Sequence, residues 1–166
     1  MTTSPIVNAA DAPEIEHIGG KWGHAYKVLT PSMRPRGGKL GVSQNRLPPG
    51  KAASVFHHHL REDEVFYILS GRGVLRYGDE LHELVPGDCV SCPAGTGIGH
   101  QIANPYDEEL VYLAMGPHDP HEVCFYPDTG KIMVRGAKRI GVLQDTEYMA
   151  GEGEEPKIFE LISYRR

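Results

Sequence analysis

The stretch His57-His58-His59-Leu60-Arg61-Glu62-Asp63-Glu64-Val65-Phe66-Tyr67-Ile68-Leu69 joins a histidine triplet, a polar connection and a β-rich segment. Successive side chains of a strand point to opposite faces, so His57 and His59 are predicted to share a face, about 6 to 7 Å apart, with His58 on the other. The connection suits a tight turn, and Glu64 begins a strand that returns alongside the first. This hairpin would bring the Glu64 carboxylate close to both imidazoles, which predicts a metal site.

A fourth histidine, His100, follows the turn sequence Pro93-Ala94-Gly95-Thr96-Gly97-Ile98-Gly99. Three imidazoles and one carboxylate suit a divalent ion of Fe, Mn, Ni, Co, Cu or Zn, and the ligand types leave the choice open. We therefore predict that His57, His59, Glu64 and His100 bind one divalent transition metal ion. On a six-coordinate ion, two positions would remain for water, dioxygen or a chelating substrate.

Short strand-like segments separated by Gly and Pro recur through the middle of the chain. They are Leu40 to Leu47, Ala52 to His59, Glu64 to Leu69, Gly73 to Tyr77, Leu81 to Val85, Cys89 to Cys92, His100 to Ala103 and Leu110 to Met115. This spacing is typical of an all-β sandwich or barrel. Residues 40–115 show no sustained 3.6-residue apolar period, so helices are not expected there.

Length and charge limit the functional classes. A chain of 166 residues is long enough for one domain with a closed core. No apolar stretch approaches the roughly 20 residues of a membrane span, and no signal peptide is visible, so we expect a cytoplasmic protein without a membrane partner. A net charge of −5 without a Lys/Arg-rich run argues against nucleic-acid binding.

The cysteines are three in number, Cys89, Cys92 and Cys124. An odd set fits free thiols in a reducing compartment. Cys89 and Cys92 form a CxxC, but a structural zinc site needs a second pair or two histidines at matching spacing. We interpret these cysteines as packing residues.

The histidine and glycine pattern resembles the cupin superfamily. Its first motif reads here as Gly50, His57, His59, Glu64 and Gly71, with six residues before His57 where five are usual. The second reads as Gly87, Pro93, Gly95, His100 and Asn104, with four residues before His100 where two are usual. The resemblance implies an all-β double-stranded β-helix, or jelly-roll barrel, with a metal in its interior and a small-molecule substrate or ligand.

The motifs place the barrel core at residues 40–116. Residues 1–39 are then an N-terminal extension that packs on the barrel, and residues 117–166 a C-terminal extension. Many cupins pair their barrels, and long terminal segments can cover exposed sheet edges of a neighbour. We therefore expect a homodimer.

Catalysis would also require a proton donor or acceptor near the metal, tuned by burial. The candidates are Tyr112, Tyr67, Gln44 and Arg46. If Leu40 and Val42 face the core, Gln44 and Arg46 lie toward the pocket, because all four share one parity. Arg46 would then bind a substrate carboxylate through two parallel hydrogen bonds. The alternative is an arginine at the rim, paired with a surface acid.

Three functions remain open from the sequence. The leading hypothesis is a metal-dependent enzyme that acts on a small oxygenated molecule by dioxygen insertion, decarboxylation, isomerisation or elimination. The second is a non-catalytic binding module or sensor that uses the same metal. The third is a barrel whose metal is purely structural, which would contribute directly to folding.

Overall fold

The computed structural model of the protein describes residues 4–164. The strands are β1 (Glu14–Gly19), β2 (Trp22–Val28), β3 (Leu40–Leu47), β4 (Lys51–Ala52), β5 (His58–His59), β6 (Glu64–Ser70), β7 (Gly73–Tyr77), β8 (Glu80–Leu84), β9 (Cys89–Cys92), β10 (His100–Asn104), β11 (Leu110–Pro117), β12 (Val123–Tyr126), β13 (Lys131–Val134) and β14 (Arg139–Val142). Short 3-10 turns span Arg34–Arg36 and Pro127–Thr129, and helix α1 spans Lys157–Ser163. The predicted all-β class is confirmed.

The main sheet has ten strands and curls into a half-barrel. Its order is β8-β7-β10-β4-β2-β3-β11-β6-β9, and β1 pairs with β2. The predicted jelly-roll type of fold is confirmed. Strand β2 lies between β4 and β3, so part of the N-terminal segment is built into this sheet.

A second sheet has four strands in the order β14-β13-β12-β5. Here the predicted hairpin was wrong. Strand β5 pairs with β12, with His59 opposite Cys124, whereas β6 pairs with β9 and β11. The predicted strand from Ala52 to His59 is also broken, because the chain passes from β4 in the main sheet to β5 in the other.

The core lies on the concave face of the main sheet. Its fully buried apolar side chains include Leu47, Ile68 and Leu110. Asn104, the last residue of the second motif, is 1% exposed and donates hydrogen bonds to the carbonyls of Leu47 and Glu108. A buried amide that satisfies two carbonyls holds the ends of neighbouring strands together.

The condition under which Gln44 and Arg46 would face the pocket, that Leu40 and Val42 face the core, is not met in β3. Asn45 and Leu47 are the buried residues of this strand, whereas Leu40 is half exposed. Alternate residues of a strand share a face, so Gln44 and Arg46 lie on the outer face of the sheet.

The C-terminal segment is unusually exposed. Every residue from 136 to 164 is exposed, and helix α1 buries none of its side chains. Within residues 4–164, no helix has the length and apolar character that crossing a bilayer requires. The three cysteines are free, with Cys92 and Cys124 buried and Cys89 exposed.

Candidate metal centre

The four predicted ligands come from three elements. His59 lies on β5, Glu64 begins β6 and His100 begins β10. His57 precedes β5 and forms an isolated antiparallel bridge with His100. The main-chain N–H of His57 donates to the His100 carbonyl at 3.2 Å, and the N–H of His100 donates back at 2.8 Å. The two sheets therefore meet at the predicted site.

The side chains converge on one carboxylate oxygen. The Oε2 atom of Glu64 lies 2.7 Å from Nε2 of His100, 3.3 Å from Nε2 of His59 and 3.7 Å from Nε2 of His57. One ligand atom from each residue lies within 4.8 Å of all the others. Ligand atoms about 2.1 Å from a single ion lie roughly 3 Å apart at adjacent positions. The group thus has the spacing of a four-ligand metal site.

The ring nitrogens of two histidines also fit a metal. Nδ1 of His57 lies 2.7 Å from the carbonyl oxygen of Val55. Because a carbonyl oxygen only accepts hydrogen bonds, the proton of the neutral ring is on Nδ1, and the lone pair of Nε2 points toward Glu64. Nε2 of His59, the ring nitrogen on the side of Glu64, is buried and makes no hydrogen bond within the described part of the chain. A buried imidazole nitrogen without a partner is costly unless a ligand satisfies it.

The turn before His100 is longer than is usual for the second motif, yet it brings this histidine into the group. Gly95 and Gly97 adopt positive φ angles of 72° and 73°, a conformation that favours glycine. A Cβ atom on Gly99 would meet the Phe56 ring. His100 is 3% exposed.

Charge within the group favours a cation. Burial favours the neutral form of Glu64, but the imidazoles of His100, His57 and His59 outweigh it and hold the pKa of this carboxyl well below its usual range. Burial lowers the pKa of His100, although the Glu64 carboxylate opposes that change. An ionised carboxylate beside an imidazole that favours its neutral form is a donor set suited to a divalent metal.

A cleft of about 590 Å³ includes Glu64 in its lining. Strand β2 contributes Tyr26 and Val28, β3 contributes Ser43, and β11 contributes Met115. The walls are thus largely apolar with a few hydroxyl groups, which is typical of a small-molecule site.

Of the catalytic candidates, Tyr112 is buried in the core, whereas Tyr67, Gln44 and Arg46 lie on the outer face of the sheet. Tyr112 is 3% exposed, and its ring packs edge-on against Phe66 at 6.0 Å. Burial, and then the charge of Glu64, raise the pKa of Tyr112. Tyr67 alternates with the buried Phe66 and Ile68, so it lies on the outer face of β6 and is not brought to the group.

Arg46 and Gln44 are likewise not brought to the metal group. Arg46 binds both carboxylate oxygens of Glu14 and, through Nε and Nη2, both oxygens of Glu109. The structure therefore shows the alternative for Arg46, an arginine paired with surface acids. Gln44 lies on the same outer face because it shares the parity of Arg46.

The sequence reasoning missed several buried groups beside the site. Glu62 lies in the polar connection that the sequence predicts as a tight turn, yet it is 5% exposed and pairs with Arg135. Glu122 is fully buried. The Tyr126 ring lies 6.3 Å from the His57 ring, and burial followed by a hydrogen bond with Cys124 raises the pKa of Tyr126 to about 12. The spacing of the second motif could not predict Glu122, Tyr126 and Arg135, because all three come after it in the sequence.

Fold and site together define a small jelly-roll protein with a histidine and glutamate cluster inside the barrel. Residues 45–116 match the family described as Cupin domain. An uncharacterized protein of Methanocaldococcus jannaschii is 32% identical over 101 residues, which cover 61% of this chain and 70% of that protein. The chain belongs to the cupin family.

Two further similarities come with functional names. The oxalate-binding protein of Thermotoga maritima is 34% identical over 70 residues, covering 42% of this chain and 55% of that protein. The crystal structure of a cupin-superfamily sugar phosphate isomerase from Silicibacter pomeroyi superposes with a TM-score of 0.71 and 25% identity, covering 88% of this chain and 98% of that one. The match to the oxalate-binding protein spans just over half of its length.

Proposed function

We propose that the protein binds one divalent transition metal ion through His57, His59, Glu64 and His100 and acts as a metal-dependent enzyme on a small oxygenated molecule. The observation that carries this proposal is the convergence of three Nε2 atoms on Glu64 Oε2, within 2.7 to 3.7 Å. The cleft lined partly by Glu64 supports access for a small molecule.

The ion and the residues around it have different roles in this proposal. A bound divalent ion supplies Lewis-acid or redox chemistry to an oxygen-containing substrate. Tyrosine is protonated at neutral pH, and burial together with the charge of Glu64 raises the pKa of Tyr112 further, so it can donate a hydrogen bond but does not act as a base. Tyr26 and Ser43 offer hydroxyl groups along the cleft that can orient substrate oxygens.

The reaction class is proposed from the relatives. One is named for oxalate binding and another for sugar phosphate isomerisation, and both molecules are small and rich in oxygen. The donor set suits decarboxylation, isomerisation, elimination or dioxygen insertion. An iron-loaded protein would direct the search first to dioxygen.

Elemental analysis of protein purified without chelators tests the metal site. We expect close to one equivalent of iron, manganese, nickel, cobalt, copper or zinc, and its loss in a His57→Ala, His59→Ala double variant. A His17→Ala, His82→Ala double variant is the matched control, since it removes two histidines outside the group. Wild-type protein that stays metal-free after reconstitution contradicts the proposal.

Metal-loaded protein is then assayed against oxalate, other organic acids, sugar phosphates and phenols. We expect turnover that disappears in the His57→Ala, His59→Ala variant and persists in the control. The second candidate function is a non-catalytic binding module, favoured by the relative that is named for oxalate binding. Tight binding of a panel member, recovered chemically unchanged, would identify this second function.

A homodimer is part of the proposal, with residues 40–116 as the barrel core and residues 1–39 and 117–166 as extensions that add β2 and β12 to its sheets. Its support is the exposed C-terminal segment, in which Val142 is 74% and Phe159 54% exposed. Large exposed apolar patches are typical of interaction surfaces. Light scattering coupled to size exclusion should give twice the chain mass, and removal of residues 139–166 should reduce it to one.

We also propose a cytoplasmic protein, which the three free cysteines support because free thiols persist in reducing compartments. Cell fractionation would check this.

A further inference from the structure

The second ring nitrogen of His59 faces two buried carboxylates. Nδ1 of His59 lies 3.4 Å from Oε1 of Glu122 and 3.6 Å from Oε2 of Glu62. Neither carboxylate belongs to the four converging ligands, whose centre lies on the Nε2 side of this ring. His59 therefore stands between the candidate metal position and a separate acidic group.

Glu122 is held rigidly in that position. Its side chain is fully buried, Oε1 accepts the main-chain N–H of Leu60 at 2.8 Å, and Oε2 accepts that of Arg61 at 3.0 Å. These amides belong to the two residues that follow His59. The carboxylate is thus tied to the same turn of chain as the ring that it faces.

The charges leave a net negative group beside Nδ1. Arg135 pairs with both oxygens of Glu62, which also accepts the main-chain N–H of Asp119. Two carboxylates and one guanidinium sum to −1. The Arg135 guanidinium already provides the cation of this cluster, so a proton donor is a better partner for Glu122 than a second metal ion.

We propose that Glu122 is a positioning residue that accepts the Nδ1 proton of His59 and so holds Nε2 toward the metal, an inference that rests on the metal binding proposed above. The 3.4 Å separation is a few tenths of an ångström beyond the usual hydrogen-bond range, within reach of a small ring adjustment. A carboxylate partner fixes ring orientation and raises the basicity of the ligating nitrogen.

The proposed hydrogen bond joins His59, inside the cupin match, to Glu122, outside it. That match ends at residue 116, and Glu122 stands just before β12, which pairs with β5 at Cys124 and His59. The segment after the barrel core therefore completes the surroundings of a ligand within it.

Competition between the protein and a chromogenic zinc chelator tests the inference. Compared with wild type, a Glu122→Gln variant should bind Zn²⁺ about 10- to 100-fold more weakly. Asp63→Asn is the matched control, because Asp63 also accepts a loop N–H, that of Ala94 at 2.9 Å. Asp63 belongs neither to the four candidate ligands nor to the cluster of His59, Glu62 and Glu122. The control should change the affinity less than about twofold.

A spectroscopic measurement separates positioning from a purely structural role. In ¹⁵N-labelled, zinc-loaded wild type, the Nδ1 proton of His59 should resonate downfield and exchange slowly with water. Glu122→Gln should shift this signal upfield and speed its exchange. If this variant does not fold, the wild-type spectrum alone decides, and an Nδ1 proton that exchanges as fast as that of an exposed imidazole overturns the inference.

The outcomes distinguish the two proposals. Wild type that binds no zinc overturns the metal centre and this inference with it. Equal zinc affinity in wild type and Glu122→Gln overturns the inference alone, even if the unfolding free energy of the variant falls. Two zinc ions in wild type and one in the variant would instead identify a second metal at His59, Glu62 and Glu122, which also overturns it.

Discussion

The main chains of His57 and His100 donate hydrogen bonds to each other in both directions, so the backbone alone fixes these two candidate ligands side by side. Their ring centroids lie 4.5 Å apart. A pair fixed by backbone hydrogen bonds loses little conformational freedom on binding, because the preorganised ligands are already in place. Metal binding therefore needs little further ordering of these residues, and its free energy should add to the free energy of unfolding.

The first prediction concerns metal removal. With free metal at 100 times its dissociation constant, the folded state should gain about 2.7 kcal/mol, which raises Tm by roughly 5 to 11 °C. Differential scanning calorimetry of chelator-treated and reconstituted protein measures the shift. The His57→Ala, His59→Ala variant should show no shift, and an equal rise in that variant would mean that the metal binds elsewhere.

The second prediction concerns the ion pair between Glu62 and Arg135. The Glu62 side chain is 6% exposed, so an Arg135→Met change leaves a buried carboxylate without its guanidinium. We expect a loss of about 3 to 5 kcal/mol in the free energy of unfolding, measured in urea. A Glu62→Gln, Arg135→Met double variant should recover much of that loss. Lys131→Met, an exposed change on strand β13, which ends just before Arg135, should have little effect. A loss under about 1 kcal/mol in Arg135→Met would contradict this account.

The third prediction concerns Arg46, whose side chain is 43% exposed and pairs with Glu14 and Glu109. Exposed ion pairs contribute about 0 to 1 kcal/mol, so Arg46→Gln should change stability within that range. Because Arg46 lies on the outer face, metal content and substrate affinity should be unchanged. A selective rise in KM for a carboxylate substrate would restore the sequence-based role of Arg46 in substrate binding.

The fourth prediction separates two motif glycines, both of which adopt positive φ. A Cβ on Gly71 would collide with the Glu109 carbonyl, whereas one on Gly87 would meet no heavy atom of the described residues within 4 Å. Gly87→Ala should therefore lose only the conformational term of about 1 to 2 kcal/mol. Gly71→Ala should lose roughly 3 kcal/mol or more, because a steric clash is added. Equal losses in chemical denaturation would show that the clash relaxes freely.

The sequence was most informative where local pattern determines structure. The predicted bounds of β3, β7 and β9 agree with the structure, because turns with Gly and Pro delimit each segment. The grouping of His57, His59, Glu64 and His100 also follows from the motif spacing.

Sequence parity alone could not choose the buried face of β3. Leu40 and Val42 are apolar, but the opposite face carries Leu47 together with Asn45, whose amide bonds to Ser43. A polar residue that satisfies its own hydrogen bonds can be buried, so the apolar count misleads. The curl of the assembled sheet, in which β3 lies between β2 and β11, determines which face of β3 is enclosed.

Contacts between residues far apart in the sequence could not be predicted either. Glu62 stands among charged residues in a turn and resembles a solvated side chain, but Arg135, 73 positions later, pairs with it. Strand β5 pairs with β12, more than 60 positions away, and not with its neighbour β6. Such contacts depend on the path of the chain after the second motif, where local spacing gives no register.

The candidate ligands belong to two different sheets: His59 lies in the four-stranded sheet, while Glu64 and His100 lie in the ten-stranded one. An ion held by all of them cannot leave without at least one sheet giving up a ligand. A bound ion would then join the two sheets at this point and so oppose the separation of β5 from β12, a local opening of the protein itself. Amide hydrogen exchange at Cys124 and Phe125 should therefore slow when the metal binds.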